Sequence, residues 1–88
     1  MKKIDNTANR LAALYAESFG GKASGRYRIP SKIIRDMMGV RRLYPEDVQA
    51  LTRAMLEEGY VLIDMDSFFV VLSANAFVNY RRANAEVI

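Results

Sequence analysis

The chain has no histidine, no cysteine and no tryptophan, and only two prolines in 88 residues. Without His or Cys, zinc, copper, haem and iron–sulfur centres lack their usual ligands. Cysteine nucleophiles and Ser-His-Asp arrangements are excluded on the same ground. No disulfide can form, so nothing points to an oxidising compartment. Long apolar runs are missing too: the longest, Phe68 to Leu72, is far short of the roughly 20 residues that cross a bilayer. The start, Met1-Lys2-Lys3-Ile4-Asp5-Asn6, is basic but has no apolar stretch behind it, so no signal peptide is expected. These absences predict a soluble cytoplasmic protein with no cofactor, no metal, no membrane association and no catalysis.

What is present is ordinary for a globular chain: 51% hydrophobic and 26% charged residues. The length predicts a single domain over residues 1–88, with a core over 5–73 and a C-terminal helix or tail over 74–88. Glycines and prolines divide the chain into segments. A first helix is expected from about Thr7 to Phe19, capped by Asp5 or Asn6 and ended by Gly20-Gly21. Ile4, Ala8, Leu11, Leu14, Tyr15 and Phe19 recur on it at helical spacing. Arg26 to Ile29 alternates as a short strand. A second helix begins at Pro30 or Ser31, ends before Gly39, and carries Ile33, Ile34, Met37 and Met38.

The third helix starts at Pro45, with Glu46 and Asp47 where the helix dipole favours negative charge. Val48, Leu51, Met55 and Leu56 form its expected buried stripe, and Gly59 suits a left-handed ending. Tyr60–Met65 and Phe68–Ser73 read as strands around an Asp66-Ser67 turn. Val61, Ile63 and Met65 share one face and Tyr60 and Leu62 the other, so both faces are expected to need a cover. A last helix, capped by Ser73 and running from Ala74 to about Asn84, would supply one, with Phe77 and Tyr80 inward.

The order helix, strand, helix, helix, strand, turn, strand resembles the winged helix-turn-helix family. "YRIPSKIIRDMMG", "PEDVQALTRAMLEEGYVLID" and "FFVVLS" occupy the places of the short strand with helix two, of helix three running into the first wing strand, and of the second wing strand. The resemblance implies an α+β winged helix, with three helices, a small antiparallel sheet forming a β-hairpin wing, and the C-terminal helix. It also implies a DNA-binding regulator of transcription, in which helix three enters the major groove. Gln49 and Arg53, off the apolar stripe, are then the base-reading candidates.

Charge is unevenly distributed. Lys22, Arg26, Arg28, Lys32, Arg35, Arg41 and Arg42 face only Asp36, so residues 22–42 are net +6, whereas residues 43–72 are net −5. Concentrated cations are the usual footprint of a polyanion partner. Arg26, Arg28, Lys32, Arg35, Arg41 and Arg42 are therefore the expected phosphate contacts on double-stranded DNA. Helix three is net −3 from Pro45 to Glu58, and the turn between the wing strands has no Lys or Arg. That acid supports an alternative: a protein–protein interaction module, or small inhibitor encoded by a mobile element, docking through helix three and the hairpin. A homodimer is expected through the first and last helices, with Leu11, Tyr15, Phe77 and Tyr80 at its interface.

Two weaker motifs are assigned to structure. Asp64 and Asp66 could hold Mg²⁺, but turn chemistry explains them more simply. Gly20-Gly21-Lys22-Ala23-Ser24-Gly25 follows a helix and lacks Walker spacing, which predicts a flexible connector. The methionines are expected to fill core gaps.

Overall fold

The computed structural model describes residues 2–87; Met1 and Ile88, the ends of the expected domain, lie outside the described residues. The elements run α1 (Lys2–Leu14), β1 (Tyr27–Pro30), α2 (Ser31–Met38), α3 (Pro45–Glu57), β2 (Tyr60–Asp64) and β3 (Phe68–Ser73), followed by a single 3₁₀ turn at Ala74–Phe77. The described residues form an α+β fold with three α-helices and one antiparallel sheet in the order β1-β3-β2.

Helix α1 starts and stops five residues earlier than the sequence suggests. Its buried stripe is Ile4, Thr7, Ala8 and Leu11, so the apolar period begins at Ile4 and the helix begins with it. Asp5 lies in the first turn, favoured by the helix dipole, instead of serving as a cap. After Leu14 the amides of Tyr15, Ala16 and Glu17 donate to carbonyls three residues back, which tightens and ends the helix. Phe19 leaves it to exchange two backbone hydrogen bonds with Lys22, each 3.0 Å. Gly20 and Gly21 lie between them at φ 60° and 81°. The expected flexible connector thus opens with a tight turn whose consecutive positive φ values favour glycine.

Helix α2 ends as expected. Gly39 is left-handed at φ 69°, and the amides of Gly39 and Val40 satisfy the carbonyls of Asp36 and Arg35. Of its four apolar positions, Ile34 and Met38 are buried and Met37 is half-buried, while Ile33 is exposed. Eight residues fit one stripe against the core, and Ile33 lies outside it. Helix α3 begins with Pro45 in its first turn, and the Asp47 carboxylate accepts the Tyr44 amide at 3.0 Å. Leu51 and Met55 are buried and Val48 is half-buried. Leu56, expected in the same stripe, is 54% exposed.

Strand β3 is central. It pairs with β1 from Tyr27↔Val71 to Pro30↔Phe68, and with β2 from Tyr60↔Ser73 to Asp64↔Phe69. The hairpin turn places Asp66 at φ 75°, and the Asp64 carboxylate accepts its amide at 2.8 Å. That is the expected turn chemistry. Met65 sits in this turn, exposed, and not in a core gap or in β2.

Ile29, Leu62, Phe69 and Val71 cover one sheet face and join Ile4, Ala8, Leu11, Ile34, Met38, Leu51 and Met55 in a single core. The opposite face carries Val61, Phe68, Val70 and Leu72, all half-buried, and Ile63 at 37% exposure. The expected second cover does not form. Ser73 does cap, its hydroxyl accepting the Asn75 amide at 3.2 Å, but the chain beyond it makes a 3₁₀ turn and not a helix to Asn84. Asn75, Asn79 and Asn84 favour caps and turns, and a segment this short is marginal as a helix without an apolar face to dock. Phe77 stacks edge-on with Tyr80, ring centroids 5.3 Å apart, and Tyr80 is 66% exposed.

Candidate nucleic-acid interface

The cations of residues 22–42 fall into two patches on either side of Pro30. Lys22, Arg26 and Arg28 are exposed and line one depression together with Glu17, Ser24 and Tyr27. Arg26 and Arg28 are two apart along an extended chain and so project to the same side. The Arg28 guanidinium lies 5.7 Å from the centre of the Phe68 ring, a cation–π contact that fixes its place on the half-covered sheet face. Tyr27 anchors the strand beneath them: it points inward and its hydroxyl donates to the Leu11 carbonyl of α1. Burial, with Tyr60 nearby, raises the Tyr27 phenol above its ordinary value, so it stays a protonated donor.

The second patch belongs to α2 and the segment after it. Arg35, half-buried, and Arg41 and Arg42, exposed, line a depression of about 340 Å³ with Ser31, Leu43, Val48 and Phe69. Asp64 and Asp66 line it as well, so two carboxylates temper its charge. Lys32 is exposed and three residues before Arg35, on the same side of α2. One tie was not legible in the sequence. Buried Ser31 donates its amide to the Ser67 carbonyl at 3.1 Å and its hydroxyl to the Asp66 carbonyl at 2.8 Å. The hairpin tip is thereby fastened to the start of α2.

Gln49 and Arg53 are both exposed and four apart, on one side of α3. Their surroundings are acidic: Asp5, Glu46 and Glu57 line the same depression as the two of them. The structure therefore sets the α3 pair among carboxylates on one side, while on the other the pair lines a depression with Leu43, Val48 and Asp64, which also border the second basic patch. Of the expected dimer residues, Leu11 is wholly enclosed in the core and has no surface to offer a second copy. Tyr15 is half-buried, its ring 5.1 Å from that of Tyr60, while Phe77 and Tyr80 stand outside the core. Exposed Leu56 and Ile33 are apolar surface that the sequence assigned to the interior.

Among the described residues, no three His, Cys, Asp or Glu side chains are grouped to hold a metal ion, and no helix is long and apolar enough to cross a membrane. No protein-family model matches this chain, and no curated protein or solved structure is significantly similar to it. Fold and surface together define a small α+β domain with basic patches around β1 and α2 and a mainly acidic surface on α3.

Proposed function

We propose that the protein is a winged-helix-like DNA-binding domain, a cytoplasmic regulator that docks non-covalently on phosphates through the two basic patches. The observation that carries this reading is the exposure of Lys22, Arg26, Arg28, Lys32, Arg41 and Arg42. They flank one strand–helix junction, and Arg41 and Arg42 share their depression with Val48 of α3, Asp64 and Asp66. The β1-α2-α3-β2-β3 order with β3 central supports the winged-helix comparison. In this reading β1, α2 and the segment after it dominate binding, and α3 contributes little base reading because its carboxylates would face phosphates.

A duplex DNA titration between about 50 and 200 mM salt tests it. Each neutralised phosphate adds about 0.9 to the log–log slope, so five or so contacts give a slope near −4 to −5. Arg41→Glu with Arg42→Glu should weaken binding more than about tenfold and flatten the slope by about 2. Gln49→Ala with Arg53→Ala should change affinity less than about threefold, the order of a lost surface contact. A salt-independent affinity sinks the proposal.

A second reading rests on Leu56, which lies exposed on an acidic helix. In a protein-interaction module or small inhibitor, this apolar anchor, on a segment that also exposes Glu46, Glu57 and Glu58, would meet a basic partner. Charge reversal separates the two readings. Loss of function with Glu57→Lys and Glu58→Lys, but not with the arginine reversals, selects this one.

A further inference from the structure

The two edges of the sheet are built differently. Met65 donates to Phe68 and Ala74 to Gly59 across the β2–β3 hairpin, at 2.9 and 3.0 Å, which sets the phase of the ladder. Bonded pairs alternate along antiparallel strands, so Val61–Leu72 and Ile63–Val70 are the bonded ones. The backbone amides and carbonyls of Tyr60, Leu62 and Asp64 therefore point away from β3, along the outer edge of β2. Among the described residues no bond outside the ladder engages them. This edge has no proline, lysine, arginine or bulge.

The β1 edge carries the devices that normally prevent edge pairing. The same phase makes Ile29–Phe69 and Tyr27–Val71 the bonded pairs there, which leaves Arg28 and Pro30 facing outward. Pro30 has no amide to give, and Arg28 is charged. One edge is blunted along its length; the other carries a charge only at its end, on Asp64.

A second observation adjoins the open edge. Leu56 of α3, with Leu43, Val48 and Thr52, lines an open depression of about 510 Å³ that reaches Asp64 at the end of β2. The exposed Leu56 side chain thus shares a depression, lined also by Gln49 and Arg53, with Asp64 at the end of the bare edge.

We propose that β2 pairs antiparallel with β2 of a second copy of this chain, centred on Leu62, with the two Leu56 side chains brought together beside the extended sheet. This goes beyond the DNA-binding proposal and does not depend on it. A two-fold axis through Leu62 makes the interface self-complementary. Leu62 then bonds the partner's Leu62, and Tyr60 bonds the partner's Asp64, so every outward amide and carbonyl of β2 is satisfied. Shifting the register by two residues either way leaves one of these groups unpaired at each end. Charge selects the same register. Centred on Leu62, the two Asp64 carboxylates stand four residues apart along the ladder, roughly 13 Å, whereas a shift toward Asp64 halves that separation. On the half-covered sheet face, Ile63 then packs beside the partner's Val61. The pairing replaces the dimer expected through α1, whose Leu11 is enclosed.

Native mass and amide exchange of the full chain, measured together from about 10 µM to 1 mM, test the proposal. The expected result is a rise toward twice the 10.0 kDa chain mass with concentration. Exchange at Tyr60, Leu62 and Asp64 should slow by about tenfold or more over that range while the Arg28 amide stays fast. Leu56→Glu, at an exposed site, should keep the fold and hold the mass at that of one chain. A single-chain mass at the highest concentration overturns the proposal. So does a dimer in which those three amides exchange as fast as Arg28, or one that Leu56→Glu leaves intact.

Discussion

At the scale of single residues, Gly39, Tyr27 and Ser31 carry much of the definition of the fold. Gly39 ends α2 at a φ that an L side chain adopts at a cost of roughly 1–2 kcal/mol. A Cβ there would meet only the flexible end of Lys3, at 3.3 Å, so the backbone and not crowding sets the penalty. Gly39→Ala should therefore lower unfolding stability by about 1 kcal/mol in a denaturant titration, with the fold retained. Tyr27 ties β1 to α1 through its hydroxyl, and its raised phenol pKa has a definite sign in linkage. Its stabilising contribution is complete below the ordinary tyrosine value of 10.0 and is lost as pH climbs above it, because the unfolded chain ionises first. Ultraviolet titration should show one tyrosine ionising after the others, and Tyr27→Phe should remove that late step. Ser31 commits both its amide and its hydroxyl to the hairpin turn. Ser31→Ala should cost about 1–2 kcal/mol and speed amide exchange in the turn, because only the hydroxyl tie is lost.

At the scale of elements, the sequence is most legible where local chemistry and burial agree. Pro45 with Asp47 at the start of α3, Gly39 after α2 and Asp66 in the hairpin turn each signal a boundary that the structure keeps. The misses have one physical origin: an apolar residue does not say which surface will cover it. Ile33 and Leu56 have helical spacing, yet each falls just beyond the stripe that its helix presents to the core. Leu14 to Phe19 continues the period of α1, but Phe19 instead meets the Tyr27 ring edge-on at 5.4 Å and needs a turn to reach it. Residues 74–84 have a cap and two aromatic residues but no core to dock on, so they stop after one turn. Ending the chain after Phe77 should leave unfolding stability within about 0.5 kcal/mol, because residues 78–87 are all exposed. The basic segment was legible as charge, and its division into two patches was not, since that depends on where Pro30 turns the chain.

At the scale of the whole molecule, the radius of gyration is 14.4 Å, against about 12 Å for a compact chain of this length. Residues 78–87 are all exposed outside the core, and the folded part is correspondingly small. A domain with so little interior gains more than a large one from pairing with its own copy. Self-association through β2 would also place the basic patches of two chains about one axis. Leu56→Glu should then weaken DNA binding at concentrations where the wild type is paired, while leaving every cation in place. Native mass and DNA titration on the same sample would show whether the two losses coincide.

The central position of β3 has a consequence for synthesis. The strand that completes the sheet is the last one to be made, and β1, separated from it by some forty residues, has no partner until it arrives. A nascent chain that has not yet exposed Phe68 to Ser73 holds an unpaired β1 and half a hairpin. Held on the ribosome by a C-terminal extension long enough to span the exit tunnel, the chain should become resistant to protease in one step, when β3 emerges, and not helix by helix.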